Sequence, residues 1–340
     1  MQEILIGRTE AGGRLDKFLA RYFREADQGF LYRMLRKKNI LLNGGRAAGS
    51  ERLKEGDVVK VFFSDETFSK MKGAAKAPRA SSKSLDIIFE NEDIMIINKP
   101  AGLLSQKANK EDDSLTDRVA AYILGGRLSD DFGFIPSVAN RLDRNTSGLV
   151  MAGKTLPGQQ FLSWMLRSGH MEKTYLCLVH GTLSKTLDSS LYWSKDEKSN
   201  LVSIHKEATD GSSLIRLIAS PLENLSGGVQ LLKVNLISGK GHQIRAQLAY
   251  LGMPVLGDKK YGNTDADRIL SEKIKMPLKH QLLHAFRLSF SSGPDAKELS
   301  EQAAALAIKM EKRSFEAPVP PHFGRVLNAL GGEYGQSART

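Results

Sequence analysis

Residues 141–148, RLDRNTSG, lie between two apolar runs, FIPSVAN before them and LVMAGKT after them. These runs predict buried strands, so the segment is predicted to leave the sheet at a strand end. Its one acid, Asp143, stands between Arg141 and Arg144. Two interpretations are open here: a surface turn whose charges neutralise each other, or a loop that performs chemistry. Surface ion pairs are common and contribute little, so the rest of the chain must decide.

The chain from residue 85 onward predicts many strands and a few helices. The segments FLSWMLRSG (161–169) and HQIRAQLAYLG (242–252) have helical spacing, whereas KTYLCLVHG (173–181) and VQLLKVNLIS (229–238) read as strands. Because strands outnumber helices and follow one another in hairpin order, we expect an α+β fold with a mostly antiparallel, mixed sheet. We expect this domain to cover residues 85–325 and to be the catalytic one.

A smaller unit precedes it. Residues 1–63 predict two short helices followed by a small hairpin sheet, with Asn43-Gly44 as a turn signal. Residues 64–84 are rich in Ala, Ser and Lys, and predict a flexible basic linker. Residues 326–340 are predicted to be a disordered tail.

The charge balance points to a polyanionic partner. The chain of 340 residues has 49 Lys and Arg against 38 Asp and Glu, a formal net charge of +11. Nucleic acid is the commonest partner of such a chain. The one cysteine, Cys177, excludes an internal disulfide and fits a reducing compartment. With no signal peptide pattern and no membrane-length apolar run, we expect a cytoplasmic monomer that does not bind membranes.

The sequence lacks the motifs of several common enzyme classes. There is no G-x-x-x-x-G-K-[ST] phosphate loop, no G-x-G-x-x-G after a strand and no G-x-S-x-G elbow. The seven histidines form no convincing ligand set, because His280 and His284 have no acid or cysteine nearby. We therefore expect neither a metal nor a cofactor.

Arg245 gives Asp143 a possible partner. It lies in the first turn of the predicted helix, where a cation opposes the helix dipole, and at the margin of an apolar face. An arginine at such a position needs a carboxylate, and Asp143 is available. Paired with Arg245, Asp143 would stay ionised even when buried, which an aspartate nucleophile requires.

The first unit resembles the small RNA-binding domain first described in a ribosomal small-subunit protein. The resemblance is carried by RLDKFL (14–19), YRMLRKKN (32–39), ILLNG (40–44) and LKEGDVV (53–59). It implies that the basic helix binds RNA through Arg33, Arg36, Lys37 and Lys38.

Four segments in order carry a second resemblance: RLDRNTSGLV (141–150), KTYLCLVHG, ISGKGHQIRAQLAYLGMPVLGDKKYG (237–262) and LLHAFRLSF (282–290). Together they resemble the RluA-type family of pseudouridine synthases. Combined with the first unit, they suggest the branch that acts on large-subunit ribosomal RNA. The resemblance implies an isomerase that converts uridine to pseudouridine in RNA without cofactor or metal.

Site residues follow from the same resemblance. It implies that Asp143 is the catalytic aspartate, that Tyr175 stacks on the target base and that Arg245 pairs with the aspartate. It also implies that Arg141 supports the flipped-out nucleotide. Three more residues of these segments are expected to contact RNA: Arg144, His242 and Gln243. The turn Thr146-Ser147-Gly148 is expected to set the geometry of the loop.

The sequence departs from the family at two places. Asn140 stands where the family usually has His, and Lys240-Gly241 replaces the usual Arg-Thr. Neither removes a residue assigned to chemistry, but both can alter RNA contacts. Three routes stay open for Asp143: attack on the base, attack on the ribose, or proton abstraction to form a glycal. Two other functions also stay open, namely a non-catalytic RNA-binding or ribosome-assembly factor and a pseudouridine synthase for transfer RNA.

Overall fold

The structure, a computed structural model, describes residues 1–73, 84–109, 111–125, 134–196, 199–291 and 299–334. Within these residues the chain forms two separate sheets. No helix in the described ranges is both long and apolar enough to cross a membrane.

The first unit is a four-stranded antiparallel sheet with three helices. The strands are ordered β1-β4-β2-β3. Apolar side chains at helical spacing on α1, such as Leu15 and Phe18, pack against Leu31 and Leu35 of α2 in a small core. Its elements are β1 (Gln2–Leu5), α1 (Leu15–Tyr22), α2 (Gln28–Arg36), β2 (Ile40–Leu42), β3 (Gly45–Arg46), β4 (Val58–Val61) and α3 (Asp65–Lys72).

Helix α3 corrects the prediction of a flexible linker beginning at residue 64. Ser64 caps the helix by accepting a hydrogen bond from the Thr67 amide, and acids in the first turn favour its start. Phe68 makes an edge contact with Phe23, at 5.4 Å between ring centroids, and joins the first core. The low overall hydrophobicity of the segment concealed this apolar anchor. Residues 74–83 of the predicted linker lie outside the described residues.

The second unit is built on an eleven-stranded sheet. Its main path is β11-β10-β12-β13-β9-β14-β8-β6-β5, with β15 beside β14 and β7 beside β8. Among the described strand pairs, only β14 and β8 are parallel, so the predicted α+β fold with a mostly antiparallel, mixed sheet is confirmed. Its elements are β5 (Ile87–Glu90), β6 (Ile94–Lys99), α4 (Leu115–Leu124), β7 (Ser137–Val138), β8 (Ser147–Gly153), α5 (Leu156–Ser168), β9 (Met171–His180), β10 (Leu187–Asp196), β11 (Leu201–His205), β12 (Ser213–Leu225), β13 (Val229–Leu236), α6 (Gln243–Tyr250), α7 (Thr264–Ile274), β14 (Leu283–Phe290), α8 (Glu301–Met310), β15 (Ser314–Glu316) and α9 (Pro321–Ala329).

Alternation along the central strands separates two cores. Tyr175 and Cys177 of β9 point to the face covered by α4 and α6, where Ile244 packs. Leu176 and Leu178 of the same strand point to the opposite face, which α7 and α9 cover. Helices α5 and α8 cover the neighbouring part of that second face.

Helix α9 corrects the prediction of a disordered tail from residue 326. Phe323, Val326, Leu327 and Leu330 recur at helical spacing and are all buried. They pack in the core that contains Leu178. Residues 326–334 are therefore part of the fold, and residues 335–340 lie outside the described residues.

The two units touch at the start of α5. The Leu156 amide donates to the Thr9 carbonyl at 3.0 Å. Arg8 forms ion pairs with Glu92 and Asp93, in the turn before β6. The first unit thus contacts the end of β6 that is opposite Lys99.

Candidate active site

Asp143 lies in the loop between β7 and β8 (residues 141–146), called here the catalytic loop because Asp143 is the predicted catalytic residue. The Thr146 amide donates to the Asp143 carbonyl at 3.0 Å, which closes a turn centred on Arg144 and Asn145. The predicted turn at Thr146-Ser147-Gly148 is therefore wrong in position. The turn lies about two residues earlier, and Ser147 already begins β8. This early start lets β8 pair with β14 from the fourth residue after Asp143 onward.

Gly148 is required by close backbone packing. Its φ is +110°, a region that side chains disfavour, and it pairs with Ala285 of β14. A Cβ at this position would lie 2.2 Å from the Ala285 carbonyl oxygen. The glycine therefore allows β14 to approach the end of the catalytic loop.

Two buried polar side chains hold the catalytic loop. Ser105 Oγ accepts from the Leu142 amide at 3.0 Å and donates to the Leu142 carbonyl at 2.8 Å. Lys99 Nζ donates to the carbonyls of Pro100, Leu103 and Arg144 at 2.9–3.0 Å. Burial lowers the pKa of Lys99 to about 7, although the charge of Asp143 acts in the opposite direction. Lys99 was assigned no role from the sequence.

Arg245 connects Asp143 to a second carboxylate. Its Nη1 donates to Asp143 Oδ2 at 2.6 Å, which confirms the pair expected from the sequence. Its Nε and Nη2 donate to the two oxygens of Asp258 at 2.6 and 2.8 Å. Such a bidentate pair fixes the plane of the guanidinium group. Asp258 lies in the quoted segment GDKKYG but received no role from the sequence.

The charges of this cluster are stabilised by one another. Burial alone would lower the pKa of Arg245, but its pairs with Asp258 and Asp143 outweigh burial and raise it. Burial acts to raise the pKa of Asp258, and the bonds from Arg245 outweigh this and lower it. The backbone amides of Lys260 and Tyr261 also donate to Asp258, at 2.9 and 3.2 Å. Arg245 is therefore held in place before any ligand binds.

His242 and Tyr261 line the same cluster. His242 precedes α6 with a left-handed φ of +56°, which turns its ring toward the catalytic loop. Its Nδ1 lies 2.8 Å from the Tyr261 hydroxyl, and its Nε2 lies 4.0 Å from Asp143 Oδ1. Burial lowers the pKa of His242, so the imidazole is mostly neutral at pH 7. Its predicted RNA contact stays a prediction.

Tyr175 lies on β9 beneath this cluster. It is 8% exposed and stands opposite Ala285 of β14 and Val234 of β13. Burial raises the pKa of the Tyr175 hydroxyl, and the nearby charge of Asp143 raises it further. The phenol is therefore protonated at neutral pH, and it lies close enough to Asp143 for that charge to affect it.

The other predicted RNA-binding residues divide into two groups. Arg141 and Arg144 are exposed on the catalytic loop, next to Asp143. The second group is exposed on or directly after α2 of the first unit: Arg33, Arg36, Lys37 and Lys38.

Gln243 requires a correction. It is only 2% exposed, its Oε1 accepts from the Lys240 amide at 3.1 Å, and its Nε2 donates to the Arg216 carbonyl at 3.2 Å. The side chain braces the loop before α6, so the predicted contact between this side chain and RNA is wrong.

The two departures from the family also have structural roles. Asn140 Oδ1 accepts from the Met151 amide at 2.8 Å and so braces β8. The Gly241 carbonyl accepts from Trp193 Nε1 at 3.0 Å, and Lys240 Nζ lies 5.4 Å from the centre of the Trp193 ring. The Lys240-Gly241 pair thus fixes the loop before α6 to β10.

The site can perform acid–base or nucleophilic chemistry with one carboxylate. Asp143 is half-buried, with 23% of its side chain exposed, whereas the Asp258 side chain is fully buried. Only Asp143 therefore offers an oxygen to a ligand. Among the described residues, no group of three or more His, Cys, Asp or Glu side chains is arranged to hold a metal ion.

Comparison with known proteins agrees with this geometry. Residues 93–250 match the family model described as RNA pseudouridylate synthase, a range that contains Asp143, Tyr175 and Arg245. Over these residues the chain is similar to RNA pseudouridylate synthases.

Relatives are similar over nearly their whole length. An uncharacterized RNA pseudouridine synthase homolog of Mycoplasma pneumoniae is 29% identical, covering 93% of this chain and 95% of the relative. The ribosomal large subunit pseudouridine synthase C of Rickettsia bellii is 28% identical, covering 95% of this chain and all of the relative. The human RNA pseudouridylate synthase domain containing 4 shares the fold, with a TM-score of 0.54 at 17% identity over 72% of this chain and 92% of that one.

Proposed function

We propose that this protein isomerises specific uridines to pseudouridine in large-subunit ribosomal RNA, with Asp143 as the catalytic residue. One observation carries the proposal. Asp143 is the one carboxylate of the buried cluster that is open to a ligand, and Arg245, fixed by Asp258, donates a short hydrogen bond to it. An aspartate must be ionised to act as a nucleophile or as a base.

The reaction needs the target base outside the RNA helix. Flipping a base costs a few kcal/mol, and stacking on an aromatic ring returns roughly 1–3 kcal/mol. In the proposed reaction the flipped base stacks on Tyr175, whose raised pKa keeps the hydroxyl protonated at neutral pH. Arg141 and Arg144 are exposed beside Asp143 and can hold phosphates of the opened RNA.

The chemistry is a rearrangement without net oxidation or reduction. The bond between ribose C1′ and base N1 breaks, a bond between C1′ and C5 forms, C5 loses a proton and N1 gains one. Asp143 can attack the base, attack the ribose, or remove a ribose proton to form a glycal. All three routes use the same ionised carboxylate.

The substrate is inferred from charge and from the relatives. The formal net charge of +11 and the exposed basic residues of α2 suit a long polyanion. Relatives named for the ribosomal large subunit favour ribosomal over transfer RNA. We further propose that the protein acts as a monomer in the cytoplasm, where ribosomal RNA is found.

Pseudouridine mapping in ribosomal RNA tests the proposal. Cells that lack the gene should lose one or more pseudouridines from large-subunit RNA, and the wild-type gene should restore them. A gene with Asp143→Ala should not restore them, although the protein accumulates. If the lost positions lie in transfer RNA, the substrate assignment is wrong. If no position is lost in either RNA, the proposed enzyme function is wrong, and a non-catalytic RNA-binding factor would be preferred.

A further inference from the structure

A small cavity lies beside the catalytic loop, between the start of β14 and the start of α9. It encloses about 130 Å³. Ala101, Ser147 and Leu283 form one part of its wall, and Pro320 and Phe323 form another. None of these residues has a part in the proposed chemistry.

The cavity shares its wall with the catalytic loop. Ser147 directly follows that loop, and the Gln281 side chain, also in the wall, donates to Thr146 Oγ1 at 3.3 Å. The Gly102 amide, next to Ala101, donates to the Arg144 carbonyl at 2.9 Å. Ser147 lies four positions after Asp143 in the chain, a stretch that spans at most about 14 Å. A nucleotide that flanks the reacting base is therefore close enough to enter the cavity.

Two histidines supply polar groups to this cavity. The rings of His280 and His322 meet edge to face, with centroids 5.7 Å apart, and both line the cavity. His322 Nε2 is buried and has no hydrogen-bond partner among the described residues. A buried polar atom without a hydrogen bond destabilises the fold, so a ligand that forms a hydrogen bond with this nitrogen would be favoured. A neutral imidazole can offer either a donor or an acceptor to the edge of a base.

The surroundings of the cavity are positively charged. Lys279 and Arg325 are close enough to help lower the pKa of His322, to which burial contributes most. Arg144 is exposed on the adjoining loop. The cavity is smaller than the roughly 300–1,000 Å³ of sites for drug-sized ligands, so it suits one flat ring. Apolar walls, unpaired imidazole nitrogen and basic surroundings together fit a nucleobase with its phosphate.

We propose that this cavity binds the base of an unpaired nucleotide that flanks the target uridine, while Lys279 and Arg325 hold its phosphate. The inference rests on the proposed function, because it names a second contact to the same RNA. It makes the cavity a determinant of which uridine is chosen, since only an RNA with an unpaired neighbour at the right distance can fill it.

Steady-state kinetics on a hairpin RNA that contains a mapped target uridine test the inference. His322→Ala and Arg325→Ala should each raise KM about five- to tenfold, since they weaken base or phosphate contacts. The value of kcat should stay within about twofold, because Asp143 and Arg245 are untouched. Arg268→Ala is the matched control, since it removes one exposed charge of α7 and should change neither constant. Because Arg325 is also exposed, its variant should keep the wild-type melting temperature.

Crosslinking locates the flanking nucleotide. Hairpins with 4-thiouridine one or two positions from the target should crosslink, from one of these positions, to a peptide that contains residues 320–323. His322→Ala should reduce that crosslink. Unchanged KM in both variants, with crosslinks only to other peptides, would overturn the inference and leave the proposed function standing. If wild-type protein formed no pseudouridine in any RNA, both would be overturned.

Discussion

The buried cluster of Asp143, Arg245 and Asp258 and the basic surface of α2 carry charge in opposite ways. In the cluster, Arg245 is buried and makes three short bonds to two carboxylates. On the α2 surface, side chains such as Arg36 and Lys37 are exposed and form no ion pair within the described residues. In the cluster, the guanidinium group of Arg245 is fixed in one geometry. On the α2 surface, several cationic side chains are exposed and no ion pair fixes their positions.

This difference determines how each region responds to substitution. Removal of Arg245 leaves Asp258 charged, buried and unpaired, at a cost of about 3–5 kcal/mol. Removal of an exposed cation changes stability by less than about 0.5 kcal/mol, but it weakens binding to a polyanion. The cluster should therefore control turnover and stability, whereas the α2 surface should control affinity.

The largest effect is expected for Arg245→Ala. The variant should lose detectable turnover and about 3–5 kcal/mol of unfolding free energy, because Asp258 becomes buried and unpaired. Arg245→Lys should keep the charge but lose the bidentate geometry. Its turnover and unfolding free energy should lie between those of wild type and Arg245→Ala. Urea unfolding measures the stability. Arg216→Ala is the control, since Arg216 forms the same bidentate pair with Asp188 at an exposed position, and it should lose no more than about 1 kcal/mol. Equal losses for both arginines would contradict the comparison.

Gly148→Ala should have the next largest effect. Backbone strain and the clash with the Ala285 carbonyl should together cost about 2–4 kcal/mol of unfolding free energy. Gly211 also has a positive φ, but a Cβ there would meet nothing within 4 Å. The loss of unfolding free energy in Gly211→Ala therefore measures backbone strain without the steric clash. A Gly148→Ala protein as stable as the Gly211→Ala protein would show that β14 does not need this close approach.

His284 should make stability depend on pH below neutrality. It is buried, its Nδ1 lies 2.9 Å from Ser147 Oγ, and burial lowers its pKa to about 4. The pKa in the folded protein is thus below the unfolded value of about 6.5. Its contribution is present above pH 6.5 and is lost as the pH falls toward 4. Between pH 7 and pH 5 this loss should be about 2 kcal/mol. Urea unfolding of His284→Asn should show a correspondingly weaker pH dependence; an identical dependence would exclude His284 as the cause.

The smallest effect on the folded protein is expected at the α2 surface. Arg36→Ala with Lys37→Ala should leave melting temperature and kcat unchanged, while the slope of log affinity against log salt becomes shallower by up to about 0.7–0.9 per lost phosphate contact. Arg268→Ala with Lys273→Ala, on α7, removes equal charge as a control. Substitution is cleaner than deletion of the first unit, since that unit contacts Leu156 and Asp93. An unchanged slope would show that α2 does not bind the substrate.

Sequence patterns gave correct predictions where periodicity or a local motif carries the information. The helix α6 and the strands around Asp143 follow from apolar spacing, and Arg245 needs an acid because of its place in the first turn of α6. Asp258 could not be found this way, since no local rule relates it to Arg245, thirteen residues earlier. The role of Lys99 was not predicted for a similar reason. Only the folded chain brings three carbonyls around its ammonium group.

The wrong predictions have two different causes. Helix α3 and the end of α9 were assigned to flexible segments because their average composition is polar, yet single apolar residues such as Phe68 and Leu330 anchor them to a core. Gln243 was expected at the RNA because it stands between His242 and Ile244 in a functional motif. It instead braces the loop that brings His242 to Asp143.

The most direct test of the account is tritium release from RNA labelled at C5 of uridine, with wild-type and Asp143→Asn proteins compared. Asparagine keeps the shape of the side chain but has no ionised carboxylate. We predict that the variant releases no tritium above background, although it binds the same RNA within about threefold of wild type and unfolds at a similar temperature. Substantial release by Asp143→Asn, with pseudouridine as the product, would contradict the claim that the ionised Asp143 performs the reaction.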